Sequence, residues 1–286
     1  MSSNPEVKYI AKLLNDSDDR NAFSVMRHLL SRNDTELGQL IDALTVEKSP
    51  LLSRRVGILR DAISCRDNRR SFYRIINSED PDIFAGLTAL HLLWFDQDSD
   101  GEELLTEVNK LRTKAARCEI NSLQDLEFFM RSERFMPHGE STIFPENYCI
   151  GFLLDEKYSA ASMLMAVGAN LSVNNSIQLV RFQNEFALID NQGNMLKGNN
   201  SWLLVKAPQK EDFEIWDNRM LLRYIASMLL ACAVNSDSYR YVMTIAMALK
   251  GDESENVFNK FPYPFTIVQD DKKDSETNLF EGVKNE

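Results

Sequence analysis

Two stretches of this chain carry residue types at spacings that could do chemistry. The first is "DQDSDGEELLTE", with Asp96, Asp98 and Asp100 at positions 1, 3 and 5, Gly101 at 6 and Glu107 at 12. A calcium loop uses that spacing, because a hard cation needs a cage of oxygens and a glycine at its sharp turn. Against calcium stand Glu103 at position 8, where paired loops carry an apolar residue, and the lack of a second such loop in the sequence. The same carboxylates suit a turn that opens a helix near Gly101. Asp98 and Asp100 would then meet orphan N–H groups at the helix start, and Glu107 would lie about two turns along it. The turn is the preferred reading; no cofactor is expected, with calcium kept as the weaker alternative.

The second is Cys149, which follows "PEN" and a tyrosine and opens a helical pattern, with His138 eleven residues upstream on a Pro/Gly loop. A helix start lowers a thiol pKa, so a Cys149–His138 pair would be reactive. The plainer reading is a small buried cysteine and an exposed histidine. His28 and His91 fall at core or semi-core positions of apolar helices, and neither has a second His at i+4 to form a metal pair. Met163, Met165, Met243 and Met247 lie in helical segments and read as core filling before they read as an adaptable surface. Arg54, Arg55, Arg66, Arg69 and Arg70 stand out against an acidic background. They read as a solvated helix face, or else as a docking patch for an acidic partner or for the chain's own acidic tail.

These residues must be positioned by a mostly helical chain. "RNAFSVMRHLLSR" carries a stripe at Ala22, Val25, Met26, Leu29 and Leu30, capped by Asp18 or Asp19. "ELGQLIDAL" and "PLLSRRVGILRDAI" keep the same period, with Pro50 in a first turn. Leu13 and Leu44, and Val25 and Val56, are each 31 residues apart, an echo of stacked HEAT-type helix pairs. "IFAGLTALHLLWF" predicts a buried helix, and Ser122 with Asp125 a capping pair on the next short one. Residues 136–146 read as a loop. "SIQLVRFQNEFALID" alternates like a strand, "DNQGN" is a turn, and "SWLLVKA" a further strand. Helices return from Glu214, and residues 269–286 read as a mobile acidic tail.

The net charge of −11 and a pI near 4.9 argue against nucleic acid and against anionic membranes as partners. Four scattered cysteines form no disulfide framework and no zinc ribbon. "MSSNPEVKYIAKLLND" is charged where a signal peptide needs an apolar run, and the ten-residue "IASMLLACAV" is too short to span a bilayer. A cytoplasmic protein with reduced thiols is expected.

From about Ala85 to Lys250 the chain resembles the SirB1 family of transglutaminase-like bacterial proteins. The resemblance runs through "LTALHLLWFDQDSDGEELLTEVNKLRTKA", "FPENYCIGFLLDEKYSAASMLMAVGANL", "VRFQNEFALIDNQGN" and the closing helices, and is strongest at Asn147, Ser162, Phe186 and Gly193. It implies a papain-like α+β core with a small antiparallel sheet, a HEAT-like N-terminal extension and a TPR-like C-terminal pair. The implied regions are 1–82, 83–214 and 215–252. An active enzyme of this type needs a thiolate at a helix start, a His, and an acid to orient it. The matching helix offers Ser159, Ala160, Ala161 and Ser162; Glu185 stands where His precedes Phe186; and the Asp position falls near Lys197. The resemblance therefore implies a degenerate member that binds a protein partner without catalysis. A hydrolase or acyl-transferase using Ser162, Glu185 and Lys197 is the alternative.

Overall fold

The computed structural model describes residues 5–45, 49–95, 101–172, 177–198, 202–208 and 213–251. Asp96, Asp98, Asp100 and the 269–286 tail lie outside them. The described residues form eleven α-helices and a small antiparallel sheet; the stretch read as one strand up to Asp190 is two strands, and Glu214–Trp216, read as the start of a helix, is a strand.

The first four helices are α1 (Pro5–Leu14), α2 (Asp19–Leu30), α3 (Asp34–Leu44) and α4 (Pro50–Ile76). Asp18, Asn33 and Ser49 cap the last three, and Pro50 fills the first turn of α4. Their apolar stripes close one core around Leu14, Leu29, Leu37, Ile41, Leu44 and Leu59. The five arginines singled out on α4 are mostly inside, which corrects their reading as a solvated face or docking patch: of Arg54, Arg55, Arg66, Arg69 and Arg70, only Arg54 is exposed. Arg55 donates to the carbonyls of Leu14 (2.7 Å) and Asp16 (2.6 Å) and pairs with Asp19. Arg66, fully buried, donates to the Leu30 carbonyl and pairs with Asp34 at 2.6 Å, which also takes Arg70. The two buried guanidiniums thus satisfy the carbonyl ends of α1 and α2, where the helix dipoles are negative. Burial pushes the Asp34 carboxyl up, but hydrogen bonds from Arg70 and Arg66 pull it below its ordinary value.

Helix α4 belongs to two cores, because Phe72 and Ile76 near its C-terminus join the main one. That core is built on α5 (Ile83–Trp94), buried on most faces as predicted, and on α6 (Gly101–Arg117) and α7 (Leu123–Ser132). Ser122 and Asp125 form the reciprocal capping box of α7. The segment 136–146 is more than a loop: β1 (Met136–His138) pairs in parallel with β2 (Tyr158–Ala160). Between them lie a 3₁₀ turn (Pro145–Tyr148) and α8 (Ile150–Glu156); α9 (Ala161–Ala169) follows β2 directly. His91 is a packing residue between α5 and α8. A Cβ on Gly151 would stand 2.5 Å from its ring, so only glycine allows this approach. The chain closes with α10 (Asn218–Asn235) and α11 (Tyr239–Lys250), and α11 is tied back to α4 by Asn77 donating to the Ala248 carbonyl at 3.0 Å.

Five strands, β3 (Ile177–Phe182), β4 (Glu185–Asp190), β5 (Asn194–Lys197), β6 (Leu203–Lys206) and β7 (Glu214–Trp216), pair antiparallel in the order β6-β5-β4-β3-β7. Gln183 and Asn184 both take positive φ, which makes the tight β3–β4 hairpin turn. Leu179, Phe186, Leu188 and Leu196 face the main core, toward α7 and α9. Val180, Ala187, Ile189 and Met195 form a separate cluster on the other face. Among the described residues no helix is long and apolar enough to cross a membrane.

Two outcomes test this packing. Asp34→Ala should lower stability in chemical denaturation by about 3 kcal/mol, because it strips a buried guanidinium of its counter-charge. Burial pulls His91 down to about 4. Unfolded chain takes up that proton near pH 6.5 while the folded protein resists it. Stability is therefore expected to fall, by up to about 3 kcal/mol, as pH drops from 6.5 toward 4. His91→Leu should flatten that decline.

Candidate functional site

A cavity of about 220 Å³ opens beside the start of α9, lined among others by His138, Glu140, Ala161, Asn184, Phe186 and Gly198. One carboxylate governs it. Glu140 accepts the Ser162 N–H at 3.0 Å through one oxygen and the Tyr148 hydroxyl at 2.8 Å through the other. Tyr148 in turn accepts the Ser141 N–H at 2.9 Å. A negative charge on a helix start is well placed against the dipole. Burial, helped by the charge of Glu140, pushes the Tyr148 hydroxyl well above its ordinary value. The same loop is held from α10, where the Asn235 side chain donates to the Thr142 carbonyl at 2.9 Å.

The sheet separates Ser162 from the other two alternative catalytic residues, Glu185 and Lys197. Ser162 is fully buried on α9, and its hydroxyl oxygen has no hydrogen-bond partner among the described residues. Lys197 stands opposite Ala187 in the register, so it shares the sheet face turned away from α9. Glu185, the first residue of β4, borders the cavity, but alternation puts its side chain on that same far face. Its carboxylate lies 3.8 Å from the Lys197 ammonium, which sits over the Phe182 ring at 5.5 Å. The residue that β4 turns toward α9 is Phe186. A Ser162–Glu185–Lys197 set is therefore not assembled.

The other sequence candidates also resolve. Cys149 does stand at the N-cap position of α8, without a capping hydrogen bond from its side chain, but it is fully buried, and burial pushes its thiol well above the ordinary value. This overturns the reactive Cys149–His138 reading: His138 sits on the exposed strand β1 with its ring edge-on to Tyr158 at 5.7 Å. Burial likewise pushes Cys232 up to about 11. His28 is exposed on α2, against the expectation of a core position. Met163 and Met165 fill the core and Met247 packs against it, while Met243 is exposed. Glu107 lies on α6, two turns in, and pairs with Lys110 at 2.5 Å. Among the described residues no three His, Cys, Asp or Glu side chains are grouped to hold a metal ion.

Sequence reasoning missed Glu140 and the corner formed by Arg181, Trp216 and Tyr224. Glu140 reaches its helix from 22 residues upstream, and no local period marks such a reach. Arg181 did leave a sign: it stands two residues after Leu179, on the face that the alternation makes apolar.

Thiol labelling checks this description. With the folded protein near pH 8, alkylation should modify Cys118, the exposed cysteine, more than about tenfold faster than Cys149. Compared with known proteins, the chain matches no family model, no curated protein and no solved structure.

Proposed function

We propose that this chain is a non-catalytic protein-interaction or regulatory protein on a degenerate, SirB1-like scaffold. In this reading α5 to β7 correspond to a transglutaminase-like core, α1 to α4 to a HEAT-like extension, and α10 with α11 to a TPR-like closing pair. The meeting of a helix start, a strand and a cavity supports it, since a transglutaminase-like enzyme brings its thiol and histidine together at such a place. Here those positions carry Ala161 and Ser162 on one side and, on the other, Glu185, whose side chain turns to the far face of the sheet with Lys197.

The observation that carries the reading is Glu140. Its carboxylate takes the Ser162 N–H at the α9 start, where an active enzyme would stabilise a thiolate or a developing oxyanion. A second negative charge beside it would be repelled. The side chains that remain outward suit binding. Ile143, Phe144 and Val234 are exposed, and the hydrogen bond from Asn235 to Thr142 brings their segments together at the end of α10. The partner is a protein, reached in the cytoplasm, and neither nucleic acid nor a membrane surface suits the acidic chain.

The test is turnover by the full chain, read as amine incorporation into a glutamine peptide and as hydrolysis of activated esters. Neither rate should exceed buffer. A rate that Ser162→Ala abolishes would sink the non-catalytic reading.

A further inference from the structure

Among the described residues Arg181 makes no ion pair. It lies on β3, directly across from Phe186 on β4 and from Glu214 on β7. Its guanidinium carbon is 6.0 Å from the centre of the Phe186 ring and 5.6 Å from that of Trp216. Its Nε–H is buried and has no hydrogen-bond partner among the described residues, and the same holds for the indole N–H of Trp216. Among the described residues no carboxylate pairs with Arg181. Glu214, its cross-strand neighbour, is exposed and makes no ion pair there. The Tyr224 ring closes the corner, edge-on to Phe186 at 4.9 Å and to Trp216 at 5.8 Å.

Aromatic faces offset part of the cost of taking a guanidinium out of water. They do little for two buried N–H donors, and each such donor costs stability until an acceptor meets it. Glu140 acts on the same Tyr224 hydroxyl as Arg181 does, but its hydrogen bonds go to Ser162 and Tyr148 and it makes none with Arg181.

We propose that the Arg181–Trp216 corner is a binding site for a carboxylate. The acid's two oxygens match an arginine N–H and the indole N–H, and its single negative charge balances the single positive one. A phosphate would bring a second negative charge that the single guanidinium does not balance. Phe186 also borders the cavity beside α9, whose lining does not include Arg181, Trp216 or Tyr224. The corner offers two donors framed by three rings. It suits a short-chain acid or one acidic side chain of a polypeptide. The site stands on Arg181 and Trp216 and does not rest on the non-catalytic reading: binding and turnover are read in separate experiments.

The experiment follows the ¹H–¹⁵N signals of the Arg181 Nε–H and the Trp216 indole in the full chain, assigned with Arg181→Lys and Trp216→Phe. Sodium acetate is titrated against sodium chloride at matched ionic strength. Both N–H signals should move downfield and saturate with acetate only. Arg181→Lys, which keeps the charge and loses the fork, should weaken binding by about tenfold or more. Trp216→Phe should weaken it by less, and acetate should raise the melting temperature of wild type but not of Arg181→Lys. A second arm uses the peptide acetyl-Gly-Glu-Gly-amide. Tighter binding than acetate assigns the site to an acidic polypeptide side chain, and equal binding assigns it to small free acids. Signals that respond alike to acetate and chloride, or an Arg181→Lys variant that binds acetate as wild type does, overturn the proposal.

Discussion

A β-strand turns successive side chains to opposite faces, and in β4 that constraint decides which residues α9 can meet. Phe186 and Leu188 face the helices; Glu185, Ala187 and Ile189 do not. The register with β5 then fixes Lys197 on the far face with Ala187. A one-residue slip would exchange the two sets, bringing two charged side chains against α9 and taking apolar ones away from it. The burial of Phe186 and Leu188 in the main core opposes that slip. The polar chemistry available near the start of α9 is therefore what the loops contribute, and the loop after β1 contributes Glu140.

The N-terminal helices depend on a different device. Helix ends leave carbonyls unsatisfied, and in α1 and α2 those ends are buried against α4. Arg55 and Arg66, eleven residues or about three turns apart on one helix, supply the missing donors. Each guanidinium then needs an anion, and Asp19 and Asp34 stand at the first residues of the helices that follow. A carboxylate there also meets the positive end of its own helix dipole. One arginine thus joins the end of one helix to the start of the next. Such joints add little net stability compared with an apolar core, but they set which helix ends meet.

This division explains what was legible in the sequence. Periodicity showed α2 to α5 and the strand character of β3, β4 and β6, because most of these bury a face whose spacing their own residues carry, but it ran β3 and β4 together and read β7 as the start of a helix. It missed β1, three residues whose only partner, β2, lies some twenty positions later. The arginine run misled for a related reason. Composition says that a charge is usually solvated, and only three-dimensional placement reveals that helix carbonyls lie within its reach. Cys149 followed the same logic in reverse: its place at a helix start was read correctly, but the chemistry inferred from it fails because the thiol is enclosed. At the candidate site, Ser162, Glu185 and Phe186 were found as positions, and their facing was not. Facing depends on register, which a single strand does not encode.

Arg181 makes the contrast clear. Arg55, Arg66 and Arg70 each gained a carboxylate when they were buried, and their hydrogen bonds end on named oxygens. Arg181 went into the sheet's helix-facing side and met rings. A chain with 43 acidic residues has carboxylates in excess, so scarcity does not account for the difference. Methionine or leucine at that position would fill similar space without a desolvation cost, and would leave the Trp216 N–H as the only orphan in the corner. Keeping a guanidinium there costs stability that the fold itself does not recover. A carboxylate arriving from outside would recover it, which turns a defect of packing into affinity for a ligand.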